Sequence, residues 1–285
     1  MDIPRLNGVI KALEQGKNTC VSFAPANPAS AQLFATDRYD GIVFEMEHGA
    51  YDIPTLRDCL QYLLNRRQIV QSNSLAPAVT PLVRIPPNGG EMNQWVAKQV
   101  LDSGVYGIVW PHVSTVEEAR NAVSSCRYAR PTGAPRYEPA GQRGDAPGYA
   151  ARYWGLTQQE YYDRADVWPL DPKGEIVVAI MCEDVVGLKN LPKILKEVPG
   201  ISAVIIGEGD LSQNLGFPRQ YDHPTVAGAI GEILAICKEA KVVCGHPHVE
   251  KDNVEKVVAQ GFRWLMPSPA RSNAVLDTAL KLSGR

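Results

Sequence analysis

Short apolar runs rich in valine and isoleucine alternate with longer segments of helical period along the whole chain. The apolar runs at 20–24, 41–44, 81–85, 107–110, 176–181, 203–206, 241–244 and 263–266 read as strands. Several carry apolar residues at consecutive positions, as parallel strands covered on both faces require. Helical patterns fall between them at 28–36, 53–64, 92–103, 116–127, 158–164, 185–197, 224–240 and 249–260, with a last one at 270–282. The opening segment 6–15 suits a short helix that closes the bottom of the fold. Eight strands, each followed by a helix, is the arithmetic of a (β/α)8 TIM barrel, an α/β fold spanning 1–285 as one domain. A doubly wound open sheet uses the same alternation, but its Gly-rich first turn is replaced here by FAPANPAS.

One stretch breaks the rhythm. From 128 to about 157 the chain is dense in Gly, Pro, Arg and Tyr, and this insertion is longer than ordinary connections. Its tyrosines and Trp154 suit packing against something, over the site or a neighbouring subunit, with a surface excursion as the alternative.

Composition then narrows the partner. Lys and Arg number 29 and Asp and Glu 31, so no broad positive field exists for nucleic acid or an anionic membrane. No apolar run approaches the ~18–20 residues that span a bilayer. The start, MDIPRLNGVIKALEQGK, lacks the apolar core of a secretory signal. The six cysteines are scattered without a CxxC pair and read as reduced thiols, so the cytoplasm is the expected compartment. A small molecule is the expected partner.

In a barrel, polar residues at the C-terminal ends of strands face the mouth. Here these are Ser22, Glu45, Glu47, His48, Arg84, His112, Glu183, Glu208, Asp210, the 245–248 loop and Ser268. Glu183 follows VVAIMC and Asp210 follows AVIIGEG, so two carboxylates at adjacent strand ends can converge on a hard cation. Mg²⁺ or Mn²⁺ suits them better than zinc. The alternative is that one caps the following helix, as Asp210 ahead of LSQN could. His48 can take and return a proton near neutrality, with Glu45 or Glu47 orienting the ring, or it can simply hydrogen-bond a loop. The Arg84 fork suits a carboxylate or a developing enolate oxygen, or a salt bridge to a barrel glutamate. His112 and the His246/His248 pair are weaker signals, and zinc at HPH lacks a third ligand. None of the twelve lysines lies at a strand's C-terminal end, where a Schiff-base nucleophile would stand. An enolate in this barrel would therefore need a metal.

These motifs resemble the HpcH/HpaI family of class II pyruvate aldolases. The resemblance lies in EMEHGAYD at 45–52, LVRIP at 82–86, LDSGVYGIVWPHVSTVEEARNAV at 101–123, RYEPAGQRG at 136–144, CEDVVGLKNLPKIL at 182–195 and IIGEGDLSQNLG at 205–216. It implies that Glu183 and Asp210 bind Mg²⁺, with Mn²⁺ or Co²⁺ as substitutes. It implies His48 as acid/base group oriented by Glu45, Arg84 on the enolate oxygen, and backbone N–H groups around Gly209 and Asp210 on the substrate carboxylate. It also implies a homo-hexamer, a trimer of dimers exchanging the 270–282 helix. Ser22, His112, Met181 and Glu208 depart from the family's usual residues and bear on the acceptor half of the pocket. Glu45, Met181 and His112 resemble the fungal macrophomate synthase branch. The expected function is a metal-dependent carbon–carbon lyase forming pyruvate enolate, by aldol cleavage of 4-hydroxy-2-oxo acids, decarboxylation of oxaloacetate, or both. The alternatives are decarboxylation coupled to carbon–carbon bond formation, phosphoenolpyruvate mutase-like chemistry, and a non-catalytic binding barrel.

Overall fold

The computed structural model describes residues 3–86, 92, 94–268 and 274–285. Nine parallel strands occur in it: β1 Thr19–Pro25, β2 Gly41–Glu45, β3 Thr80–Arg84, β4 Gly107–Trp110, β5 Val167–Trp168, β6 Ile176–Cys182, β7 Ala203–Ile206, β8 Val243–Val249 and β9 Trp264–Pro267. Their order is β4-β3-β2-β1-β9-β8-β7-β6-β5, and a further pairing of β4 with β6 closes eight of them into a barrel. Two-residue β5 stays outside the barrel, paired with Ile176 and Val177 at the start of β6. The closing pair depends on a glycine. A Cβ at Gly107 would stand 2.4 Å from the Val177 carbonyl oxygen, so any side chain there would hold β4 off β6.

The apolar runs became strands because each is buried on both faces. All seven residues of β6 are buried, as are all four of β4 and of β7. The helices between them start where the sequence supplies caps. Thr115 and Glu118 form a reciprocal capping box ahead of Val116–Ser125, and Asp184 caps Val185–Glu197. Prolines sit in the first turns of Pro28–Phe34, Ile53–Leu63 and Pro224–Ala240. At the bottom of the barrel, helix Gly8–Glu14 is held by Asn7, whose side chain caps it and donates to the Glu175 carbonyl at 2.9 Å. No helix of the described residues is long and apolar enough to cross a membrane.

Several boundaries differ from the pattern. Helix Arg66–Ser72 has no buried residue, so its hydrophobic periodicity is too weak to announce it. The eighth strand runs on to Val249, because a register shift between His246 and Val249 absorbs the polar HPH that reads as a loop. Lys241, expected to open that strand, instead ends the preceding helix in the left-handed region. The last helix is described at Ala274–Leu282 and buries Leu276, Ala279 and Leu280; residues 270–273 of the expected helix lie outside the described residues.

The stretch expected as a long insertion at 128–157 contains helix Gly148–Trp154, followed by Gln158–Tyr162. Its aromatics pack downward. Trp154 stacks on Tyr106 at 4.2 Å between ring centroids and donates to the Gly104 carbonyl at 2.8 Å. Arg127, fully buried, binds both oxygens of Asp166 at 2.7 and 3.1 Å and reaches the carbonyls of Arg136 and Tyr137 at 2.7 and 3.1 Å. This ion pair therefore folds the insertion onto the region before β6.

An Asp166→Ala protein leaves Arg127 buried without its carboxylate, a loss expected to cost about 3–5 kcal/mol of stability. Urea unfolding measures it; a loss under about 1 kcal/mol would show that the brace is dispensable.

Candidate metal centre and active site

Glu45 ends β2 and Arg84 ends β3, and the two are register partners, so their side chains leave the sheet on the same side. Arg84 Nε donates to Glu45 Oε2 at 2.8 Å and Nη2 donates to the same oxygen. The other oxygen of Glu45 accepts the backbone N–H groups of Glu47 at 2.8 Å and His48 at 3.1 Å. Glu45 thus fixes the backbone that carries His48, and its carboxylate does not touch the imidazole. The salt bridge considered for Arg84 is present. Its guanidinium also lies over the Phe23 ring, 4.6 Å from the centroid.

Glu47 is the hub that sequence reasoning left as one of two partners for His48. Its Oε2 lies 3.0 Å from Arg84 Nη1 and 3.8 Å from His48 Nε2, and its Oε1 lies 3.5 Å from His112 Nε2. The sequence signal was its spacing: two residues past Glu45, it continues the same face of an extended chain.

His112 follows β4 in the left-handed region, φ 53°, an uncommon conformation for a residue with a side chain. The turn delivers its backbone N–H to Glu183 Oε2 at 2.6 Å and leaves Nδ1 3.6 Å from the same oxygen. Glu47 first, then the charge of Glu183, hold the His112 imidazolium against the burial that opposes it, and its pKa is pushed up to about 9. The residue expected among substrate contacts therefore stands with the carboxylates. His112, Glu183 and Asp210 each offer a ligand atom, all within 4.8 Å of one another.

The capping alternative falls to other residues. Asp184 caps the helix after β6, its side chain accepting the Gly187 N–H at 2.6 Å, and Gly207 occupies the cap position of helix Glu208–Asn214. Glu183 and Asp210 are thereby left for other work. Glu183 is buried, and burial raises its pKa despite the nearby His112. A Cβ at Gly207 would stand 2.2 Å from Glu183 Oε1, so only glycine leaves room for this carboxylate. A buried, undercompensated carboxylate beside a second carboxylate and an imidazole fits a divalent cation.

Glu183 and Asp210 line a cavity of about 310 Å³ together with Ser22, Arg84, Met181 and Gly209. His48 does not line it. Its ring, 69% exposed, opens with Glu45 onto a neighbouring cavity of about 500 Å³, and Phe23 lines both. Glu208 is buried and turned to β8, with His248 Nδ1 at 2.7 Å and His246 Nε2 at 3.3 Å. The HPH pair serves this glutamate. Burial lowers the pKa of His246, whereas the hydrogen bond to Glu208 raises that of His248.

The family model described as HpcH/HpaI aldolase/citrate lyase matches residues 20–266 of the chain. A 2-keto-3-deoxy-L-rhamnonate aldolase of Klebsiella pneumoniae is 32% identical over 236 residues, covering 82% of this chain and 76% of its own. Among solved structures, an HpcH/HpaI aldolase/citrate lyase family protein from Burkholderia cenocepacia superposes with a TM-score of 0.75 at 22% identity, covering 98% of both chains. Macrophomate synthase superposes with a TM-score of 0.68 at 21% identity, covering 99% of this chain and 89% of its own. Both structural likenesses are likenesses of fold.

Replacing Glu183 by Gln or Asp210 by Asn is expected to weaken Mn²⁺ binding by more than about 100-fold, and Gly207→Ala by about tenfold or more. The metal-free chain keeps His112 protonated up to about pH 9, and a cation on Glu183 and Asp210 displaces that proton. Apparent metal affinity should then rise toward pH 9 by as much as about tenfold per unit and level off above it. Calorimetry in buffers of different ionisation heat counts the released proton; binding without proton release would remove His112 from the centre.

Proposed function

Because this chain belongs to the HpcH/HpaI aldolase/citrate lyase family, we propose that it is a divalent-metal-dependent carbon–carbon lyase releasing pyruvate from small 2-oxo acids. The observation that carries this reading is the convergence of His112, Glu183 and Asp210 on one another, with Glu183 and Asp210 lining one cavity with Arg84. Glu183 and Asp210, with His112 beside them, would hold Mg²⁺, or Mn²⁺ or Co²⁺ in its place. When bound, the cation supplies Lewis acidity toward the 2-oxo acid oxygens and lowers the barrier to enolate formation.

The chain's own residues supply the rest. Arg84 has five N–H donors, of which two go to Glu45 while Nη1 faces Glu47 and the Met181 sulfur, and the second N–H of Nη2 remains for the oxygen that gains charge as the carbon–carbon bond breaks. The free N–H groups of Gly209 and Asp210, in the first turn of their helix, take the substrate carboxylate. Ser22 and Met181 form wall, and His48 takes the proton of a 4-hydroxyl group. The Klebsiella relative's name describes a 2-keto-3-deoxy acid as substrate, which supports a 4-hydroxy-2-oxo acid here.

Oxaloacetate decarboxylation is the second reading, favoured by the position of His48. Loss of CO₂ needs no base, and the cavity around Arg84 is built without that exposed ring. Decarboxylation coupled to bond formation, as in a macrophomate synthase-like branch, would begin at the same step. The six buried free thiols support action in the cytoplasm. For assembly we propose the trimer of dimers, in which Leu276, Ala279 and Leu280 would bury the same face on a partner's barrel as on their own. Light scattering is expected to return six times 31.1 kDa, and a monomer mass would exclude it.

A metal-supplemented panel of oxaloacetate and 4-hydroxy-2-oxo acids, read by pyruvate release, tests the activity itself. Within it, His48→Ala should lower aldol cleavage by about 10²–10⁴-fold and decarboxylation far less. Equal losses in both rates would remove His48 from the base role.

A further inference from the structure

Beyond the metal carboxylates and Arg84, the central cavity is lined by Arg219, Tyr221 and His248. The two arginines differ in their charge state of engagement. Arg84 is ion-paired to both Glu45 and Glu47, whereas Arg219 makes no ion pair with any described residue. Glu208 does not neutralise it either, since that carboxylate is turned to His248 and His246.

Arg219 is also held in place at a conformational cost. Its φ of 58° lies in the left-handed region, where glycine or asparagine would sit more easily. The fully buried Ser212 hydroxyl enforces that turn: it accepts the Arg219 N–H at 2.9 Å and donates to the Gly209 carbonyl at 2.7 Å. One hydroxyl thus ties the Arg219 backbone to the helical turn that carries Asp210. Beside it, Tyr221 stacks on His248, 5.2 Å between centroids and 20° between planes, and His248 is anchored by its bond to Glu208. A cation on a fixed backbone, next to a flat wall, in a cavity at the small end of the roughly 300–1,000 Å³ ligand range, suits a small anion.

We propose that Arg219 receives a second carboxylate of the substrate, at the end remote from the 2-oxo acid group, so that the chain selects 2-oxo dicarboxylates over 2-oxo acids with a neutral tail. This deepens the lyase reading and rests on it. The 2-oxo acid group itself is engaged at Arg84, Gly209 and Asp210 in that reading, which leaves Arg219 for the other end.

The test compares binding of pyruvate, 2-oxoglutarate and 2-oxovalerate to the Mg²⁺-loaded protein by calorimetry; the last two differ in a distal carboxylate against a methyl group. Wild type should bind 2-oxoglutarate roughly tenfold or more tighter than 2-oxovalerate. Arg219→Ala should erase that preference, losing at least about tenfold more affinity for 2-oxoglutarate than for pyruvate, and Arg219→Lys should keep part of it. If wild type binds pyruvate but shows no dicarboxylate preference, or if Arg219→Ala retains the preference, this inference alone falls. Absence of pyruvate binding in wild type overturns the lyase reading, and the inference with it.

Discussion

Glu45, Glu47, Glu183 and Asp210 bring four carboxylates to one end of the barrel, and the burial of Glu47 and Glu183 strengthens the repulsion among them. Arg84 offsets one charge, and His112 offsets a second only until a cation displaces its proton. The remainder is negative, and a divalent cation would offset most of it. Glu208 adds nothing to this sum, because His248 matches it locally. Much of the surrounding architecture answers to the same repulsion. Glu45 is spread over Arg84 and two backbone N–H groups, His112 adopts a left-handed turn that delivers its N–H to Glu183, and Gly207 clears space for that buried carboxylate.

How much of this was legible in sequence depends on whether a feature is local. The strands were legible because Val/Ile runs buried on both faces leave no periodic ambiguity, and Glu183 and Arg84 were legible because each sits at the end of such a run. Glu47 and Asp210 stand where strand-end counting put them. Contacts made by closure were not legible. Glu47 follows β2 and His112 follows β4, and nothing along the chain says that their side chains meet across β3. Glu208 and the HPH motif lie about forty residues apart, and the bulged β8 that joins them reads as loop because its residues are polar and include a proline. Helix Arg66–Ser72 was hidden for the opposite reason: nothing in it is buried, so no pattern is imposed on it.

The two ends of the barrel divide the labour. At the bottom, Asn7, Glu175, Arg127 and Asp166 are buried and satisfied by many partners, and the Tyr/Arg/Pro-rich insertion packs onto Arg127 and Asp166. None of its residues lines the central cavity. The aromatic content that made it conspicuous in sequence is core for that side of the molecule, with Trp154 on Tyr106 and Arg143 over Tyr128. A segment can therefore be compositionally unusual for reasons of packing alone, while the chemically active end is assembled from single residues at strand ends.

The same distinction operates inside the site. Glu45, Glu47, Arg84 and Glu183 are largely buried, and Arg84 is paired with both Glu45 and Glu47, so replacing it leaves buried carboxylates unpaired and is costly. His48 and Arg219 are exposed, fixed through their backbones, and can change side chain without unpairing a buried group. Phe23 lines both the cavity of the metal centre and that of His48, so a substrate can keep its 2-oxo acid end in the first while its remainder is sorted by exposed residues. In the proposed lyase the enolate half would be the harder one to change, because buried charge locks its residues together. The other half would be easier to change, because His48 and Arg219 are held by backbone and not by buried charge.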